Sequence, residues 1–159
     1  MIFSSNIKKE KQLDNLIIEK IWHDYMMFEV RITAQNEFIK VYQDCYFDEN
    51  RLNELSGTIM KYVSSSDTDY FFSLGEKKLK HERFFMFHLC PADNKGHVII
   101  ELDMAIGCDD CLEHRCMFNV ESELGLLESF GKQLKGILQE KDGTLVELNN
   151  KAGTFDTGT

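Results

Sequence analysis

The segment HVIIELDMAI, residues 97–106, constrains the fold most: Val98, Ile100, Leu102, Met104 and Ile106 take every second position, with His97, Glu101 and Asp103 among the residues between them. Side chains alternate across a strand, so this spacing gives one apolar and one polar face, and a second layer must cover the apolar face. ERFFMFHLC repeats the pattern with Phe85, Phe87 and Leu89, and PADNKG between the two segments reads as the turn of a hairpin. Closing that hairpin gathers the apolar side chains on one side. It leaves His88, Cys90, His97, Glu101 and Asp103 on the other, the wet face of an antiparallel sheet.

The rest of the chain supplies the covering layers. NLIIEKIW reads as a first strand. YMMFEVRITA and EFIKVYQDCYF form a hairpin about Gln35 and Asn36, with Phe28, Val30, Ile32 and Ala34 on one parity and Ile39, Val41, Cys45 and Phe47 on one face. The period then changes. In DENRLNELSGTIMKYV, Leu52, Leu55, Ile59, Tyr62 and Val63 fall at spacings of three and four, an amphipathic helix with Asp48 or Asn50 as its N-cap. Gly57 weakens that helix by about 1 kcal/mol relative to alanine, so packing must hold it. DYFFSL, the basic turn GEKKLKH and ERFFMFHLC continue as strands, and HRCMFNV ends the meander with Cys116, Phe118 and Val120 on one parity. Ser122 is expected to cap a second helix, SELGLLESFGKQLKGILQE, whose stripe runs through Leu124, Leu127, Phe130, Gly131, Leu134, Ile137 and Leu138. TLVELN is the last strand. The expected class is α+β: a largely antiparallel sheet of about seven or eight strands with two amphipathic helices packed on it, in the order strands, helix, four strands, helix, strand. A single domain over residues 1–150 is expected, followed by a flexible, small-polar tail at 151–159.

Charge and composition narrow the function. A net charge of −9 opposes nucleic-acid binding, which needs cations to displace phosphate counterions, and suits a basic protein partner. No apolar run approaches a membrane span and the first residues do not read as a secretory signal, so a cytoplasmic protein is expected. Five cysteines is an odd number, and reduced thiols rather than a disulfide framework follow from that setting. No nucleophile elbow, zinc-protease, phosphate-loop or dinucleotide motif occurs, so neither catalysis nor a cofactor is expected. Exposed sheet edges leave homo-oligomerisation open.

The stretch CDDCLEHRC holds the chain's densest sulfur, with Cys108, Cys111, His114 and Cys116 as an alternative zinc set. Two features weigh against zinc. Four ligands within nine residues leave little backbone to wrap an ion, and parity directs Cys108 and Cys116 toward the core beside Met104 and Phe118. A redox role is opposed by Asp109, Asp110 and Glu113, which disfavour thiolates. A reduced structural loop is the preferred reading. The carboxylates Glu101, Asp103, Asp109, Asp110 and Glu113 are the expected docking surface for a basic partner, because complementary charge speeds association and discriminates partners.

The segments GHVIIELDMAIG and RCMFNVESELGLLESFGKQLKGIL resemble the C-terminal half of WapI-like immunity proteins, in which a glycine-led alternating strand, a variable loop and another strand run into a leucine-rich helix. HDYMMFEVRITAQNEFIKVYQDCYF followed by DENRLNELSGTIMKYV agrees with the first half in outline, and the resemblance covers about residues 15 to 148. It implies a non-enzymatic bacterial antitoxin that binds and neutralises the C-terminal domain of a polymorphic toxin. It transfers no binding residue, since the interface varies with the toxin, and the cysteine-rich loop departs from the family pattern.

Overall fold

Turns led by Asp24, Asn36 and Asp93 set the register of three hairpins. In the computed structural model, which describes residues 14–75, 83–106 and 114–149, the chain begins as a meander of β1 (Asn15–His23), β2 (Phe28–Gln35) and β3 (Lys40–Phe47). Asp24 accepts the backbone N–H groups of Met26 and Met27 at 2.8 Å, and Asn36 those of Phe38 and Ile39 at 2.8 and 2.9 Å. These side chains imitate a backbone turn and so fold each hairpin. Asp93 does the same for Lys95 and His97 at the later turn, where Gly96 takes a φ of 81°.

Helix α1 (Glu49–Ser64) follows β3. Of the two expected caps, Asp48 is the one used: its carboxylate accepts the Arg51 N–H at 2.8 Å. Asp48→Ala is therefore expected to cost about 1 kcal/mol in urea unfolding, and Asn50→Ala, inside the first turn, distinctly less. A cost from Asn50→Ala equal to that from Asp48→Ala would contradict this assignment.

The second meander is β4 (Tyr70–Leu74), β5 (Arg83–Leu89), β6 (His97–Ile106) and β7 (His114–Glu123). Helix α2 (Leu124–Gly136) runs into a 3-10 turn at Ile137–Gln139, and β8 (Leu145–Glu147) returns to pair with β1. The fold is thus α+β, and among the described residues eight antiparallel strands are divided between two four-stranded sheets, β3-β2-β1-β8 and β4-β5-β6-β7. The first is sheet A and the second sheet B. One buried cluster joins them, drawing on both sheets and both helices. It includes Ile32 and Phe47 of sheet A, Phe85 and Leu102 of sheet B, Leu55 of α1 and Leu127 of α2. Every inward residue named above for β2, β5 and β6 is buried except Ile106 at the strand end, which is half-buried.

Ser122 does not cap α2. It remains in the ladder opposite Val98, and its hydroxyl donates to Asn149 Oδ1 at 2.7 Å. The helix starts one residue later, after Glu123, which makes no side-chain cap bond. Its first N–H, that of Leu124, donates to Gly96 O at 3.0 Å, so the β5–β6 turn does the capping. Asn149 also donates to Asp14 O at 2.7 Å and Glu121 O at 2.8 Å, tying the β1 end of sheet A to β7. At the other margin Phe47 stacks on Phe72 with centroids 6.2 Å apart, and buried Gln43 donates to Phe84 O at 3.1 Å. Among the described residues no helix is long and apolar enough to cross a membrane.

Candidate functional site

The outer faces of the two sheets carry the chemistry that the core does not use. On sheet B the register lines up Phe71, His88, Glu101 and Asn119 in one cross-strand row. His88 is held on three sides: Nε2 lies 2.7 Å from Asp69 Oδ1, Nδ1 lies 2.7 Å from Glu101 Oε2, and the ring stacks on Phe71 at 4.1 Å with planes 8° apart. Partial burial works against the charged ring. The hydrogen bonds to Asp69 and Glu101 together outweigh it, and the His88 pKa is raised.

Cys90, two residues along the same face, places Sγ 3.9 Å from His88 Nδ1. Burial, and then the charges of Glu101 and Asp69, push its thiol upward, so without a cation it stays protonated and is a poor nucleophile. Its carbonyl accepts the Tyr62 hydroxyl at 2.6 Å, which fixes the backbone there. His97 shares the face in sequence but is taken by the turn, with Nδ1 2.7 Å from Asp93 Oδ2.

Of the carboxylates expected to form a docking surface, Glu101 is half-exposed and engaged with His88, while Asp103 has a side-chain exposure of 0%. Asp103 is not a free surface charge: the Arg115 guanidinium grips it through Nε at 3.0 Å and Nη2 at 2.8 Å. The physical reason is the ladder. Asp103 opposes Met117 and Ala105 opposes Arg115, so Asp103 and Arg115 are diagonal neighbours on one face, and Phe84 and Ala105 are buried beside them. Asp109, Asp110 and Glu113, and with them Cys108 and Cys111, lie outside the described residues. Of the remaining thiol-loop candidates, His114 is exposed at the start of β7, and Cys116, opposite Met104, packs partly buried against the core as its parity requires.

Sheet A presents a different surface. Its outward rows read Tyr46, Glu29, Trp22; then Asp44, Arg31, Glu19, Leu145; then Tyr42, Thr33, Ile17, Glu147. Tyr42, Tyr46 and Trp22 are exposed at 64%, 52% and 46%, an unusual outlay of large aromatics on an open sheet. Arg31 donates to Asp44 from Nε at 2.8 Å and Nη2 at 3.0 Å and lies over the Tyr42 ring at 4.8 Å. This pairing holds the Asp44 carboxyl below its usual range. A shallow depression of about 280 Å³ lies between Arg31, Tyr42, Ile17 and Leu145. With Arg31 and Asp44 satisfying each other, Glu19, Glu29 and Glu147 outnumber the neighbouring Lys40, so the face is aromatic and net acidic. Trp22, Tyr42 and Tyr46 are not among the site residues expected from the sequence; they lie on the parity opposite the buried one.

Comparison of the chain with protein-family models, with characterised proteins and with solved structures gives no match.

Proposed function

We propose that the protein is a non-catalytic binding module that neutralises a basic protein partner by surface occlusion, as an immunity protein does for the toxin domain encoded beside it. The observation that carries this reading is the outer face of sheet A, where Trp22, Tyr42 and Tyr46 stand exposed among carboxylates. Tyr, Trp and Arg dominate binding hot spots because they bury large area at little cost in side-chain entropy. Acidic neighbours favour a partner with a cationic surface, such as a nucleic-acid-processing domain, over acidic competitors. The protonated Cys90 thiol and the lack of catalytic motifs agree with a role outside catalysis. The anchor region is thereby moved from the 101–113 stretch, where Glu101 and Asp103 are engaged internally, to sheet A.

Co-expression with the product of the adjacent gene tests the reading, with protection of growth and a stable complex as the expected result. In that complex Tyr46→Ala and Trp22→Ala are each expected to weaken affinity by at least about tenfold, the cost of a hot-spot aromatic. Glu29→Lys is expected to slow association mainly at low salt. An adjacent product that neither binds nor is neutralised removes the immunity reading. A complex indifferent to all three variants but broken by charge reversal at Asp109, Asp110 and Glu113 returns the interface to the acidic loop.

A further inference from the structure

One donor atom from each of Asp69, His88 and Cys90 lies within 4.8 Å of the others. Carboxylate oxygen, imidazole nitrogen and thiolate sulfur are the ligand types zinc takes, at bond lengths of about 2.0–2.3 Å that set tetrahedral donors roughly 3.3–3.6 Å apart. His88 stands on β5 and Cys90 directly follows that strand, while Asp69 directly precedes the neighbouring β4, opposite Cys90 in the ladder's extension.

The surroundings of the ring strengthen the case. A metal-bound histidine usually donates its other N–H to a carboxylate, which fixes the tautomer and raises the basicity of the ligating nitrogen. Glu101 lies 2.7 Å from Nδ1 and Asp69 2.7 Å from Nε2, the Cys90 sulfur stands 3.9 Å from Nδ1, and Phe71 holds the ring plane by stacking.

We propose that Asp69, His88 and Cys90 bind a thiophilic divalent transition-metal ion of the zinc class, with Glu101 orienting His88 and the fourth coordination position open to water. The ion displaces the thiol proton of Cys90 to solvent and takes the place of any proton on the ligating imidazole nitrogen, so binding tightens as pH rises. Sulfur in the donor set selects such ions over magnesium and calcium, which prefer oxygen alone. The site uses neither Cys108 nor Cys111, and none of its residues belongs to the proposed partner-binding face of sheet A.

Titration of the reduced, chelator-treated full chain with cobalt(II) chloride tests the proposal, because a thiolate bound to cobalt gives a near-ultraviolet charge-transfer band. Saturation at about one ion per chain is expected, with magnesium producing no competition. Cys90→Ser is expected to abolish the band, and the Cys108→Ser/Cys111→Ser double variant to retain it. Asp69→Asn, at a half-exposed residue whose change spares the fold, is expected to weaken cobalt binding at least about tenfold, and Glu101→Gln by about 10–100-fold. Absence of the band, its survival in Cys90→Ser, its loss in the double variant, or unchanged affinity in Asp69→Asn would each overturn the site. Should Cys90→Ser fail to fold by circular dichroism, the Asp69→Asn affinity decides alone.

Discussion

Replacing Lys20 with methionine is expected to lower the unfolding free energy by about 2–4 kcal/mol, the cost of stripping buried acceptors of a charged donor. Lys20 points inward in the same parity as Leu16 and Ile18, and its side chain is only 4% exposed. Its ammonium donates to Leu138 O at 3.0 Å and Glu140 O at 2.8 Å, with Asp142 Oδ1 at 3.9 Å. Those carbonyls belong to the 3-10 turn that continues α2 and to the residue just beyond it, where a helix end leaves carbonyls without partners of their own and the dipole favours a cation. Methionine keeps the length and most of the packing but leaves the carbonyls unpaired. Exchanging a buried ion pair for apolar residues can be neutral when both partners are replaced; backbone carbonyls cannot be replaced, so that escape is closed. His23→Ala gives the contrast: it meets the same Asp142 at 2.7 Å but is exposed, and should stay within about 0.5 kcal/mol of wild type. Urea unfolding at a common m-value measures both. A Lys20→Met protein as stable as His23→Ala would show that the ammonium does not hold the helix end.

Lys20 also weakens the strand alternation of the first strand. Its charge occupies a core parity position, and the register shifts between Lys20 and Trp22, so Trp22 aligns with Glu29 and the alternation of NLIIEKIW is broken midway. A bulge of this kind displaces every following side chain by one face. Elsewhere periodicity, two in the strands and three to four in the helices, identifies the elements, because burial on one face imposes it. It could not assign strands to sheets. The pairing of β8 with β1 joins opposite ends of the described chain, and a local pattern carries no information about which distant edge a short strand will find. The end of β7 was misread for a related reason: Ser122 has the chemistry of a cap, but the ladder opposite Val98 and the bond to Asn149 claim it first.

The site was legible to the same depth. Parity put His88, Cys90 and Glu101 on one face, and the hairpin register then brings His88 opposite Glu101. Asp69 was hidden within the polar run SSSDTD, and only the pairing of β4 with β5 carries it to the ring. Asp103 shows the limit of parity in the other direction. The alternation says which side a residue faces, not whether that side is open, and the diagonal Arg115 with buried Phe84 and Ala105 closes it. On sheet A the outward positions of Tyr42 and Tyr46 follow from the same alternation that buried Cys45 and Phe47.

The same substitution made in the two helices should have opposite signs. Gly57→Ala, where nothing lies within 4 Å of the new Cβ, is expected to stabilise by about 0.5–1 kcal/mol through helix propensity. Gly131→Ala is expected to destabilise by about 1–2 kcal/mol, since overpacking of about 1–3 kcal/mol exceeds the propensity gain. Its Cβ would fall 2.8 Å from Ile59 Cγ2 and 3.2 Å from Met60 Sδ, at the closest approach of α2 to α1. Ile59 is itself fully buried, so it has no open space into which to retreat. Separating the helices to make room also stretches the bond from the buried Ser56 hydroxyl to Gly131 O, now 2.8 Å. Thermal or urea unfolding of the two alanine variants reads the signs directly. The decisive measurement is the coupling: in an Ile59→Ala background the closest contact is gone, so Gly131→Ala should cost less than it does in the wild-type chain. An equal cost in both backgrounds would mean that the glycine is not there to let the helices meet.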